Sequence, residues 1–204
     1  MSLMTEIVSY PVLLHHEEAL TKKGSNMYDV SSWMLYLNEC DAHLSQTVEY
    51  LTSSIKQTRN RGPLSMQSYQ VGGRSLKPTE LISSFHTLQK ARNLISERAL
   101  SLLPGSYKLW KDYLHFRSHT YIPSMIQYLE QQRSPKKSHP FEYHTKSYLA
   151  TISAFERALV RMNKYPRIWL MYLHYTILNS PPSDTDITHI RRLIIRALLA
   201  LPAT

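Results

Sequence analysis

Cysteine occurs once in these 204 residues, at Cys40. A lone cysteine excludes an internal disulfide and a cysteine-cluster metal site, and it argues for a reducing compartment. Glycine is scarce as well, with five residues. That is too few for a sheet protein rich in tight turns, or for several phosphate-cradling loops, and it shifts the expectation toward helices. No apolar run approaches the ~18 residues that a membrane span needs. The first twenty residues lack a basic segment followed by a long apolar stretch, which predicts no secretory signal. Acidic residues are also few: 15 Asp plus Glu stand against 24 Lys plus Arg, a formal net charge of +9. Apolar residues nevertheless make up 43%, ample for a packed core, so wholesale disorder is excluded. The length suits one large domain, two small ones or a repeat array. An intracellular, soluble, basic protein is expected.

Aromatic usage is skewed: four phenylalanines, three tryptophans and fourteen tyrosines. The tryptophans reveal a repeat. Trp33, Trp110 and Trp169 each open the pattern W-x-x-Y-L, completed by Tyr36 and Leu37, Tyr113 and Leu114, and Tyr172 and Leu173. Offsets of three and four put these side chains on one helix face. A second element, R-A-L, recurs as Arg98-Ala99-Leu100, Arg157-Ala158-Leu159 and Arg196-Ala197-Leu198. Glu97 and Glu156 precede the first two copies, and Ile195 takes that place in the third. Each glutamate lies thirteen residues before the next tryptophan. Prolines mark the breaks between helices: Pro104, Pro166 and Pro202. Constant spacing is what a stack of helical hairpins requires, so Trp and Tyr are read as packing residues. Ala91, Leu94, Ile95, Ala99 and Leu102 are expected to form one buried stripe. The small alanine of R-A-L leaves room for a neighbouring aromatic.

The repeat predicts three units, about 15–104, 105–166 and 167–204, in one solenoid segment. Loop-like inserts are expected near 57–80 and 118–146, with residues 122–132 extending the repeat as helix. The last R-A-L helix is very apolar and stops where another W-x-x-Y-L helix would begin. Either a longer solenoid continues there or a partner covers the open end.

W-x-x-Y-L, then E-R-A-L, then proline resembles the HAT (half-a-TPR) repeat of RNA-processing proteins. The stretches ERALSLLPGSYKLWKDYLHFR (97–117), ERALVRMNKYPRIWLMYL (156–173) and RALLALPAT at the end carry the likeness. They are similar to the N-terminal region of the HAT-repeat pre-mRNA-splicing factors of the XPA-binding-protein, Nineteen-complex type. The resemblance covers about 120 residues in blocks. It implies an all-α fold, an α-α superhelix of antiparallel helix pairs. It also implies a non-catalytic scaffold in the nucleus that holds Nineteen-complex subunits in the spliceosome. No cofactor, membrane or small-molecule substrate is implied. Two alternatives stay open. One is a HAT scaffold of mRNA 3′-end or ribosomal RNA processing. The other is an RNA-binding module that uses its basic inserts.

Those inserts carry Arg59, Arg61, Arg74 and Lys77, and Arg133, Lys136 and Lys137. Basic flexible segments neutralise phosphate, which makes these seven candidate RNA contacts; a solvated loop is the plainer reading. His115 and His119 are four apart, but Phe116 stands where a zinc helix needs glutamate. They are expected at the surface, as is the cluster His15, His16, Glu17 and Glu18. Glu17 and Glu18 are expected to be too close and too exposed for acid–base work. Gly72-Gly73 lacks the Lys-Ser/Thr continuation of a phosphate loop. Cys40 is expected to pack as a small apolar residue at the end of its helix. No nucleophile–base set is defensible from spacing, so no enzyme is expected.

Overall fold

The computed structural model describes residues 11–22, 27–58, 69–71, 74–76, 78–119, 140–179 and 184–201. In chain order the elements are α1 (Pro11–Thr21), α2 (Val30–Thr58), β1 (Tyr69–Val71), β2 (Arg74–Leu76), α3 (Pro78–Leu102), α4 (Tyr107–His119), α5 (Pro140–Met162), α6 (Pro166–Asn179) and α7 (Asp184–Ala200). The fold class is all-α, an array of helix pairs. The chain divides into two compact units, Met1–Leu103 and Pro104–Thr204.

In the first unit α2 packs on α1 and, more extensively, on α3. Trp33 lies level with Arg98, and Asp41 with Arg92, so rising numbers in α2 meet falling numbers in α3 and the pair is antiparallel. Trp33, Tyr36, Leu37, Cys40 and Leu44 line the inner face of α2 at spacings of three and four. Phe85, Leu88, Ala91, Ile95 and Ala99 do the same on α3. The expected stripe needs one correction: Leu94 is 46% exposed. At about 100° per residue it falls on the far side of Ala91 from Ile95. Leu102 is half-buried.

Helix α2 has 29 residues, against 13 in α4 and 14 in α6. Cys40 therefore sits in its first half and not at its end. The insert expected near 57–80 is only partly loop-like. Thr58 is still helical, and α3 begins at Pro78. Between them β1 and β2 pair antiparallel, Tyr69 with Leu76, Gln70 with Ser75 and Val71 with Arg74. Gly72 and Gly73, between the two strands, lie outside the described residues. The second insert, near 118–146, is likewise helical at both edges: α4 reaches His119 and α5 starts at Pro140. Residues 122–132, expected as helix, lie outside the described residues.

In the second unit α5 packs against α4 and α6, and α6 also against α4 and α7. Tyr172 stacks on Phe155 at 4.9 Å between ring centroids, and one turn further Tyr175 lies on Tyr148 at 5.9 Å. Numbers rise along α6 as they fall along α5, so this pair too is antiparallel. The core holds Leu109, Trp110, Tyr113, Leu114, Phe155, Ala158, Met162, Ile168, Trp169 and Tyr172.

Local signals set the helix starts. Asp29 caps α2: its carboxylate oxygens accept from the backbone N–H groups of Ser31 at 3.1 Å and Ser32 at 3.0 Å. Those hydrogen bonds hold its carboxyl below the usual range. Pro166 is the first residue of α6, where its missing N–H costs no helix bond.

Candidate functional site

Each tryptophan is the fourth residue of its helix, α2, α4 or α6. Each indole N–H donates to a backbone carbonyl six residues earlier. The acceptors are Met27 at 2.8 Å, Pro104 at 2.9 Å and Asn163 at 2.8 Å. The side chain thus fastens the turn that precedes its helix, and it satisfies its one polar atom in doing so. Over each ring lies the arginine of the next R-A-L: Arg98 over Trp33 at 5.5 Å, Arg157 over Trp110 at 5.8 Å and Arg196 over Trp169 at 5.7 Å. These are cation–π distances.

Two of these arginines also hold a carboxylate that a tyrosine shares. In the first unit Glu17 accepts from Tyr36 Oη at 2.9 Å and from Arg98 Nη1 at 2.7 and 2.9 Å. In the second unit Glu156 accepts from Tyr172 Oη at 2.9 Å, and from Arg196 Nη1 at 2.7 Å and Nη2 at 2.8 Å. Glu, Tyr and Arg come from three successive helices, so each clamp ties one helix pair to the next. Glu97 is half-buried on α3, in the first unit. Ile195, which takes the glutamate place on α7, is exposed.

The two clamps differ in setting. The Glu17 side chain is 3% exposed and that of Glu156 39%. The expected exposure of Glu17 is thereby overturned, because α2 and α3 both close over it. His16 is also not a simple surface residue. It is half-buried and stacks on Tyr36 at 5.2 Å, the same place that Phe155 occupies against Tyr172. Burial lowers the His16 pKa. Burial, followed by the neighbouring carboxylate, pushes the Tyr36 and Tyr172 phenols well above their usual range. The Arg196 hydrogen bonds hold the Glu156 carboxyl below its usual range.

The remaining repeat residues fall as follows. Ala99, Ala158 and Ala197 are buried, as are Leu37, Leu114, Leu100 and Leu159. Leu173 is half-buried, and Leu198 is 72% exposed. Pro202 lies outside the described residues. So do Arg59, Arg61, Lys77, Arg133, Lys136 and Lys137; Arg74 is in β2.

Two groups were not legible as partners in the sequence. Arg92, fully buried, makes a bidentate pair with Asp41, Nε to Oδ1 at 3.0 Å and Nη2 to Oδ2 at 3.1 Å, and also donates to Ser96 Oγ. No spacing rule links residues 51 apart. Cys40 is buried beside this pair, and burial pushes its thiol up to about 12, which leaves it unreactive at neutral pH. His115 and His119 are exposed and stack at 4.1 Å. Among the described residues no group of three His, Cys, Asp or Glu side chains is placed to hold a metal ion, and no helix is long and apolar enough to cross a membrane.

Apolar side chains also face solvent. Leu170, Ile177 and Leu178 do so along α6, and Ile187, Ile195, Leu198 and Leu199 along α7.

The family model described as pre-mRNA-splicing factor Syf1/CNRKL1 N-terminal HAT repeat matches residues 79–204. The chain is 36% identical over 118 residues to pre-mRNA-splicing factor cwf3 of Schizosaccharomyces pombe, covering 58% of this chain and 12% of that protein. It is 40% identical over 112 residues to the syf1 homolog of Drosophila melanogaster, covering 55% of this chain and 10% of that protein. It is 37% identical to SYF1 of Homo sapiens over the same length, again 55% and 10%. The chain thus spans about a tenth of the length of these relatives.

Proposed function

The chain belongs to the Syf1/CNRKL1 N-terminal HAT-repeat family of pre-mRNA-splicing factors, and on that premise we propose that it is a non-catalytic scaffold of the spliceosome. It works in the nucleus and holds subunits of the Nineteen complex. The repeats run about 15–104, 105–166 and 167–204. The clamp seen in both units carries this reading. Trp, Tyr, Glu and Arg, the side chains best suited to a binding or catalytic pocket, are engaged with one another between helices. Exposed apolar side chains on α6 and α7 give a partner contact points on a preorganised frame, so it binds without ordering the scaffold first.

Affinity purification of the chain from nuclear extract, with and without RNase, tests the proposal by mass spectrometry. Nineteen-complex subunits are expected in both samples. Recovery of cleavage-factor or ribosome-assembly proteins in their place would overturn it.

A further inference from the structure

Charge is unevenly placed in the second unit. From 157 to 167 the sequence reads R-A-L-V-R-M-N-K-Y-P-R, four cations and no acid. On α7 both acids, Asp184 and Asp186, fall in the first turn, and Arg191 and Arg192 follow at its middle and Arg196 in its second half. Lys164 Nζ donates to the Ala200 carbonyl at 2.8 Å. That bond sets the turn between α5 and α6 beside the last turn of α7, roughly 24 Å along the helix from its acids.

An aromatic pair sits at this basic edge. The Tyr107 ring, at the start of α4, stacks on the Tyr165 ring, in the turn between α5 and α6, at 4.6 Å and 18°. Tyr165 is 43% exposed. Lys108 and Arg167 flank the pair, each two residues before its tryptophan and each exposed. Arg161, also exposed, lies in the last turn of α5. Lys108, Arg161 and Arg167 have no hydrogen bond or ion pair among the described residues. Lys164 is engaged as a helix cap, and Arg157 and Arg196 lie over tryptophans. The first three are left over. Neighbouring like charges gain nothing from the fold, and they attract an anion.

We propose that this edge binds single-stranded RNA, with a base on the open face of Tyr165 and backbone phosphates on Lys108, Arg161 and Arg167. An acidic peptide would satisfy the charge but has no use for the exposed ring. An unpaired base offers the flat face that an aromatic platform takes, next to the phosphates that the cations take. The edge is separate from the basic inserts, and the proposal stands or falls independently of the scaffold reading.

The test is fluorescence anisotropy of the full chain with a labelled single-stranded RNA about twelve nucleotides long, between roughly 50 and 200 mM salt. The combined variant Lys108→Gln, Arg161→Gln, Arg167→Gln is expected to bind at least about tenfold more weakly. Its slope of log affinity against log salt should be shallower by about 2, near 0.7 for each phosphate that is no longer neutralised. Tyr165→Leu should weaken binding between about fivefold and a hundredfold without changing the slope, and Tyr165→Phe should restore it. The three cations are exposed, so an unchanged thermal melt of the combined variant separates lost binding from lost folding. Parent-like binding by that variant overturns the proposal. So does loss of binding only when Arg59, Arg61, Arg74, Lys77, Arg133, Lys136 and Lys137 are changed to Gln. A polyglutamate peptide that competes as well as unlabelled RNA overturns it in favour of an acidic protein partner.

Discussion

Glu156 accepts three hydrogen bonds, two of them from Arg196. Its carboxyl is held low by that guanidinium, so the folded chain stays ionised at pH values where the unfolded chain takes up a proton. The stability so gained is complete above the unfolded value, about 4.3, and is lost as pH falls through the lower folded value. Both side chains are more than a third exposed, which keeps the pair's worth at neutral pH under about 1 kcal/mol. Glu156→Gln should therefore lower the melting temperature slightly at pH 7 and flatten its fall between about pH 5 and 3. Parallel melting curves for the two proteins across that range would remove the clamp from the account. Glu17 shows why such groups are hard to read from sequence. Glu17 and Glu18 are adjacent and chemically alike, and one is buried while the other is exposed. Only Tyr36 and Arg98, the latter 81 residues away, tell them apart.

At the scale of the helix, identical letters carry different weight in different copies. Ala158 is fully buried at its R-A-L step. Ala158→Leu adds volume where there is none, at a cost of about 1–3 kcal/mol. Leu198, one step along the third copy, points to solvent, and Leu198→Gln should stay within about 0.5 kcal/mol of the parent. Chemical denaturation of the two variants checks both, and equal effects would contradict the burial pattern. Trp110→Ala removes a buried ring, its carbonyl bond and the surface under Arg157 together, and about 3–5 kcal/mol should go with it; a parent-like melt would overturn this. The W-x-x-Y-L and R-A-L helices were legible because period and composition agree in every copy. The length of α2 was not. Beyond Leu44 it continues through Ser45, Thr47, Val48, Thr52, Ser53 and Ser54, β-branched or hydroxyl residues that make weak helix signals. The hairpin of β1 and β2 was missed because two three-residue strands carry no period long enough to see.

Across the whole chain the repeat distributes the same fastening three times, once in the first unit and twice in the second. In repeat arrays cooperation decays from neighbour to neighbour, so the parts need not melt together. The indoles offer a way to watch. A buried tryptophan emits at shorter wavelength than a hydrated one, and no tryptophan lies outside the motif. In a Trp33→Phe protein all tryptophan emission would come from Trp110 and Trp169, both in the second unit. Comparing its spectrum with the parent's through a denaturant titration separates the first unit's light from the rest. The ring that secures each turn is thus also a lamp whose colour reports when that turn lets go.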